Sequence, residues 1–409
     1  MLTRPGSESV VVTAATSISG LGIGRAAFED ALFDGRSAIG SITAFDTAGR
    51  RAHTGGVLPD FAPARVIPPA RLRRVDRIGR LAVVSCHLLL ADAGLPAGDP
   101  LRERAGVVLG STTAGLHSVV DYLDQLNAHG AGGASAMDFS NTVGNAAASL
   151  CSIECGLRGP NVTMNYKDVS SAAAMAYAAT LVATGQTTAA VTGGVEDFES
   201  VYFTAHDHFN VLAWDDGHGE ASRPFDRRRN GFVAGNGAFV AFVETASQAR
   251  TRGAVPLAEI AGVGATASAA PMNEWPCESE GLERCMRDAL DQAELDERDV
   301  AVVFASANST RQLDRIEARA LSNVFGPRGV PVVALKGAIG ESGASAAAGV
   351  LAGIAAFTRG LVPPSLGTDQ VDPDCDVDIA TTARPLAGRV ALVNSFASGG
   401  ANYSIVIRA

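Results

Sequence analysis

The stretch GPNVTMNYKDVSSAAAMAYAATLVATGQTTAAVTGGVED, Gly159 to Asp197, decides the fold. A β-branched run around Val162 passes through a sharp turn into a helix dense in alanine, expected over Ser170–Thr184. A second buried run follows at Ala189–Thr192. Apolar strands joined by a helix are the pattern of an α/β fold whose strands are covered on both faces. The turn carries Asp168. Its simplest role is an N-cap for the helix that follows, worth about 1 kcal/mol.

The same alternation extends over the chain. Further strands are expected at Val10–Thr13, Ala105–Leu109, Val162–Tyr166 and Gly237–Val243, then at Val300–Phe304, Val330–Leu335, Arg389–Val393 and Tyr403–Ile407. Further helices are expected at Leu81–Ala93, Leu116–Ala128, Gly281–Ala293 and Ser342–Thr358. The two halves echo one another. NVTMNYKD before an alanine-rich helix matches PVVALKGAIG before ESGASAAAGVLAGIAAF. Two similar units are expected, residues 1–250 and 251–409, crossing near Thr245–Pro256 with a site where their strand ends meet.

Composition narrows the function classes. Ample apolar content, 47%, with only 19% charged residues allows a large core and excludes disorder. A net charge of −10 opposes nucleic acid, anionic membrane, or service as the main dock for an acidic carrier protein. Cys86, Cys151, Cys155, Cys277, Cys285 and Cys375 show no disulfide framework, so buried free thiols are expected. The start, MLTRPGSESVVVTAATSISG, breaks at Pro5–Ser7 and does not read as a signal peptide. No apolar run reaches the roughly 18 residues of a membrane span, so a soluble, cytoplasmic protein is expected.

Four motifs carry a family resemblance: GLRGPN at Gly156–Asn161, VTGGVED at Val191–Asp197, RPFDRRRNGFVAGNGAFVAFVE at Arg223–Glu244 and NSFASGGANYSIVI at Asn394–Ile407. Gly231, Gly235 and Gly237 in the third suit tight turns. In this order the motifs resemble the β-ketoacyl synthases, condensing enzymes of fatty-acid and polyketide assembly. That resemblance implies the thiolase fold, an α/β architecture of five αβαβα layers with two pseudo-twofold halves. It also implies a cysteine at the strand-to-helix turn, favoured by the helix dipole as a thiolate, and two histidines that stabilise the enolate and oxyanion.

Carried over residue by residue, the cysteine position falls on Asp168, the first histidine on Ser306 and the second on Glu341. All seven histidines lie within the first 218 residues and none follows. Lys336 and Glu317 match the family's supporting buried ion pair. A carboxylate acylated from a thioester would be a mixed anhydride, too unstable to store a chain, so Asp168 does not replace the cysteine. Glu341 reads more simply as a carboxylate favoured by the dipole of the next helix, worth up to about 1 kcal/mol.

Losing all three reacting groups resembles a chain-length factor, the inactive partner of a catalytic ketosynthase in type II polyketide synthases. Members for aromatic products usually carry Gln at the cysteine position, so Asp168 leaves reduced or polyene chains open. The resemblance implies a heterodimer with a catalytic ketosynthase through Asn161, Val162, Thr163, Met164, Asn165 and Tyr166, and an acyl carrier protein met through that partner. It also implies a tunnel face of Leu116, Val120 and Leu123, with His117 entering if the register slips by one. Plain helix core is the competing reading of that face. No cofactor and no metal are expected: His206 and His208 read as loop histidines and Arg227–Arg229 as a solvated turn. Asn230 and Asn236 stand where active members carry acids. Two other functions compete: a stand-alone malonyl-carrier decarboxylase using Asp168 and Lys336, and a non-catalytic acyl-binding protein.

Overall fold

The computed structural model describes residues 8–409; the break at Pro5–Ser7 lies outside the described residues. A 12-stranded sheet runs through the molecule. From one edge its path is Asp378–Ile379, Pro331–Val333, Val302–Phe304, Val390–Phe396, Ala401–Arg408 and Ala258–Ala267. It continues through Val10–Ser19, Gly237–Thr245, Ala189–Glu196 and Ala105–Gly110 to Asn161–Met164 at the other edge. Counted along the chain, the five principal strands of each half lie in the order third, second, fourth, fifth, first. In each half the fifth strand runs antiparallel to its neighbours. The halves meet at a short seam, Val11 opposite Glu259 and Val12 opposite Ala258.

Helices make the other layers. Ser170–Ala183 and Ser345–Arg359 lie between the two halves of the sheet, in a core with Phe28, Phe239, Phe304 and Ile407. Arg77–Asp92 and Ala146–Cys155 cover the outer face of the N-terminal half. Glu280–Ala293 and Arg311–Phe325 cover that of the C-terminal half. The result is the five-layer αβαβα thiolase fold. Small residues make the central layer thin: a Cβ on Gly194 would lie 2.5 Å from Ala344 Cα, so glycine is required where the halves touch.

The expected strands are found, with ends shifted, and one central strand was not expected at all. Ala258–Ala267, AEIAGVGATA, lacks the β-branched density that marks a strand. Its glycines answer to packing instead. A Cβ at Gly262 or Gly264 would come 2.1 Å from Ala289 O or 1.8 Å from Cys285 O, inside the helix Glu280–Ala293. The six cysteines are free and five of them are buried, but Cys277 is exposed, against the expectation of a buried thiol. Cys86, Cys151 and Cys155 meet in the outer N-terminal layer, with His87 beside Cys155. The Cys151 thiol and burial push Cys86 up, with Cys155 opposing, and keep the group protonated, as inert core thiols are.

Candidate functional site

The strand Asn161–Met164 leads into a turn whose third residue, Lys167, sits in the left-handed region at φ 53°. The helix begins at Ser170 with Val169 as its N-cap and no side-chain cap bond. Asp168 is therefore not the N-cap that its position suggested. Its carboxylate faces inward, where burial raises its pKa against the opposing pull of Lys336, His206 and Lys167. Ser395 Oγ donates to the Asp168 carbonyl at 3.2 Å, fixing the turn against the C-terminal half.

Across from it lies the C-terminal turn. Lys336, only 4% exposed, donates from Nζ to Glu341 Oε2 at 2.8 Å and to Ser306 O at 2.7 Å. The expected pairing of Lys336 with Glu317 is not made. Glu341, at the second histidine position, takes the lysine instead, and its burial and ion pair replace the helix-dipole role expected of it. Asn308 Nδ2 also donates to Glu341 Oε2 at 2.8 Å, while Glu341 Oε1 is buried without a partner. Burial pushes Glu341 up to about 7; Lys336 works against that rise and Asp168 adds to it. Glu317 Oε1 accepts from Ser306 N at 2.8 Å and from Asn394 Nδ2 at 3.1 Å. Its other oxygen has no partner, and burial pushes it too up to about 7.

Ser306, at the first histidine position, points its hydroxyl into the backbone: Oγ accepts from Phe396 N at 2.9 Å. No base stands ready to deprotonate it, since the nearby Lys336 ammonium is itself a donor at 3.5 Å. The site thus gathers Asp168, Glu341, Glu317 and Lys336, three acids around one cation. Neither a thiol nor an imidazole occupies any of the three reacting positions.

One helix of the site was missed in the sequence. Ser200–His208 is helical, so His206 and His208 are not loop residues. His206 Nδ1 bonds Tyr202 O at 2.8 Å, and the two rings lie 4.1 Å apart. Both face the acids: His206 opposes the rise of Asp168, and burial with Asp168, Glu196 and Glu341 pushes the Tyr202 phenol well up. The signal available was Glu199, whose side chain caps Val201 N and Tyr202 N at the helix start. Among the described residues no group of three or more ligating side chains is placed to hold a metal.

Glu196 of VTGGVED joins the halves. It accepts from Thr112 N at 2.9 Å, Thr113 N at 2.8 Å and Gly343 N at 3.0 Å. The arginine run is not a solvated turn. Arg228 pairs with Asp226 and Asp369, and buried Arg229 with Asp372 and Asp314, leaving Arg227 exposed. Asn230 bonds Trp214 O and Asp216, while Asn236 bridges Phe198 N and Gly56 O.

Leu116 and Val120 are half-buried on the helix Leu116–His129, and Leu123 is 46% exposed. Only Ser118 of that helix is fully buried, so the face is not plain core. Nearby, Asn161, Asn165 and Tyr166 are exposed and Val162, Thr163 and Met164 half-buried along the open edge of the sheet.

The family is settled by comparison. Residues 7–249 match the model "Beta-ketoacyl synthase, N-terminal domain" and residues 257–369 its C-terminal counterpart. Nodulation protein E of Rhizobium sp. (strain N33) is 32% identical, over 98% of both chains. The tetracenomycin polyketide synthase ketoacyl synthase alpha subunit of Streptomyces glaucescens is also 32% identical, covering 97% of this chain and 96% of its own. Among solved structures, the ishigamide ketosynthase/chain length factor superposes with a TM-score of 0.90 at 29% identity, over 98% of this chain and 99% of its own. With the four motifs, the repeated strand order and both matched domains, the chain belongs to the β-ketoacyl synthase family.

Proposed function

We propose that this chain is a chain-length-factor subunit: it pairs with a catalytic ketosynthase and helps shape the acyl tunnel that sets polyketide length, with the product class, aromatic or reduced and polyene, left open by Asp168. The observation that carries the reading is the exchange at all three reacting positions, Asp168, Ser306 and Glu341, with Lys336 neutralised by Glu341. The similarity to a ketosynthase/chain length factor structure and to a polyketide ketoacyl synthase subunit supports the pathway class. Acyl carrier protein reaches the complex through the catalytic partner. No cofactor or metal takes part, and the working location is the cytoplasm. The two halves divide near residue 250, at the helix Ala246–Thr251.

The open strand Asn161–Met164 with Asn165 and Tyr166 forms the partner edge, and Leu116, Val120 and Leu123 line the tunnel beyond it. A stand-alone malonyl-carrier decarboxylase using Asp168 and Lys336 is disfavoured because Lys336 is already held by Glu341 and Ser306 O, and a self-associating acyl-binding protein is the reading that a homodimer would favour. Native mass spectrometry after co-expression with an intact ketosynthase tests the assignment. A stable one-to-one heterodimer is expected, and a monomer that ignores the co-expressed ketosynthase overturns the reading. Asp168→Cys alone is expected not to restore condensation in the isolated chain, because Ser306 and Glu341 leave the oxyanion without donors. Acyl transfer onto wild-type Asp168, seen by intact mass, contradicts the whole assignment.

A further inference from the structure

The turn at Asp168 carries a second device, one residue upstream. Lys167 has its carbonyl fixed by two hydroxyls, Ser170 Oγ at 2.6 Å and Thr112 Oγ1 at 2.9 Å. Its backbone is left-handed, and its side chain crosses to the C-terminal half. The ammonium reaches two loops of the other half. It donates to Asn273 Oδ1 at 2.7 Å, and to Ser398 Oγ at 3.3 Å and Ser398 O at 3.4 Å.

Those loops are stitched to one another: Gly399 N donates to Glu274 O at 2.8 Å and Ser268 N to Gly400 O at 2.8 Å. Two successive left-handed glycines, Gly399 at φ 90° and Gly400 at φ 89°, let the second loop bend in so closely. A Cβ at Gly399 would stand 4.0 Å from Lys167 Nζ. Among the described residues Lys167 makes no ion pair; its ammonium bonds the polar atoms of these loops, while its charge also opposes the rise of Asp168.

We infer that Lys167 is a strap that ties the loops at residues 268–274 and 397–400 down over Asp168, sealing this subunit's own approach to the vestigial site. The inference rests on reading the site as one that no longer carries an acyl group. It adds how acyl groups and water are kept out: the residue beside the lost nucleophile holds the door. A charge-assisted contact to a neutral amide and hydroxyl is strong enough to bias a loop while leaving it openable.

Thiol labelling reads the seal directly. Asp168→Cys is placed in a Cys277→Ser background, because Cys277 is the exposed cysteine and the remaining five are buried. Alkylation by iodoacetamide is then followed by intact mass with Lys, Ala or Arg at 167. Lys167→Ala is expected to speed labelling at least about tenfold, the opening factor from losing one charge-assisted bond. Lys167→Arg should stay close to the lysine rate. Electrostatics alone predicts the opposite sign, since removing a cation raises the neighbouring thiol's pKa and slows it. Equal or slower labelling in a folded Lys167→Ala chain overturns the strap. Should Asp168→Cys fail to fold, hydrogen exchange on the natural Asp168 background decides. Lys167→Ala should then exchange faster in peptides spanning 268–274 and 397–400, and unchanged protection there refutes the proposal. Heterodimer formation is read separately by native mass, so failure of the strap and failure of the subunit reading are distinguishable.

Discussion

The third strand of each half ends differently. In the C-terminal half, Pro331–Val333 is covered by a further parallel strand, Asp378–Ile379, with Pro331 opposite Asp378. In the N-terminal half, Asn161–Met164 pairs with Ala105–Gly110 on one side, and among the described residues nothing pairs with the other. The exposed apolar side chains Tyr166, Leu123, Met137, Phe139, Val143 and Ile153 come from this strand's end and the segments around it, with Tyr166 53% exposed. The chain closes one edge with its own backbone and leaves its pseudo-twofold equivalent open. An open, apolar-flanked edge is a template for another strand. The comparison separates an edge covered within the chain from one that the chain leaves open.

The largest effect comes from spoiling the open edge alone. Val107 N donates to Pro160 O and Ser111 N to Met164 O, so even-numbered residues bond the neighbouring strand and Thr163 N–H points off the edge. Thr163→Pro removes that outward donor and leaves the inner ladder intact. Assembly with the ketosynthase should be lost while the melting curve stays near that of the natural chain. An unchanged heterodimer in native mass spectrometry would mean that the partner binds elsewhere.

The turns beyond the two strands differ as well. The open strand leads to Asp168, which stands free of an ion pair, and the closed strand leads to Lys336, which is paired and buried. Lys336→Met should destabilise the fold by about 3–5 kcal/mol, because it leaves Glu341 and Glu317 buried without their cation. Urea unfolding measures it, and a change under about 1 kcal/mol would mean that both acids are already protonated at the working pH.

Next in size is a functional shift without a stability shift. Val120→Trp on the half-exposed face of Leu116–His129 should leave the heterodimer intact and shorten its products, since the indole fills volume the acyl chain needs. Leu123→Ala should lengthen them or blur their distribution. Product mass from the reconstituted pair checks both. Normal lengths with normal turnover would assign this face to the interface rather than to the tunnel.

Much of this was legible because packing rules leave marks in sequence. The echo of NVTMNYKD in PVVALKGAIG located the two third strands, and the motif spacing placed Asp168, Ser306 and Glu341 at one site. Their partners were not legible. Whether Lys336 pairs with Glu317 or Glu341 depends on a side-chain contact across a turn, and Glu341 wins by lying 2.8 Å away. Ala258–Ala267 hid because a strand pressed against a helix backbone needs glycine, which reads as loop. Tyr202 and His206 hid because a nine-residue helix of mixed polarity, Ser200–His208, has too few turns to show a period.

The smallest expected effect appears only as a slope with pH. Glu317, beside the closed strand, is pushed by burial up to about 7 from 4.5, and its Oε2 has no partner. Lys336 faces it and opposes the rise, and Asp314 adds to it. The sign follows from proton counts. Between about 4.5 and about 7 the unfolded chain has released this proton while the folded chain still holds it. The unfolded state then binds fewer protons, so stability falls as pH rises through that window and levels above it. Glu317→Gln keeps an oxygen for Ser306 N and Asn394 Nδ2 but has no proton to lose. Relative to the natural chain, the variant should therefore gain stability from pH 5 to pH 8, by on the order of 2 kcal/mol. The shared titration of Glu341, also near 7, remains in both proteins and cancels in the difference to first order. Urea melts at the two pH values measure the gap. A gap that stays constant would place Glu317 as an ordinary ionised carboxylate, already neutralised by Lys336, and the C-terminal turn would then hold a completed ion-pair triad rather than stranded acids.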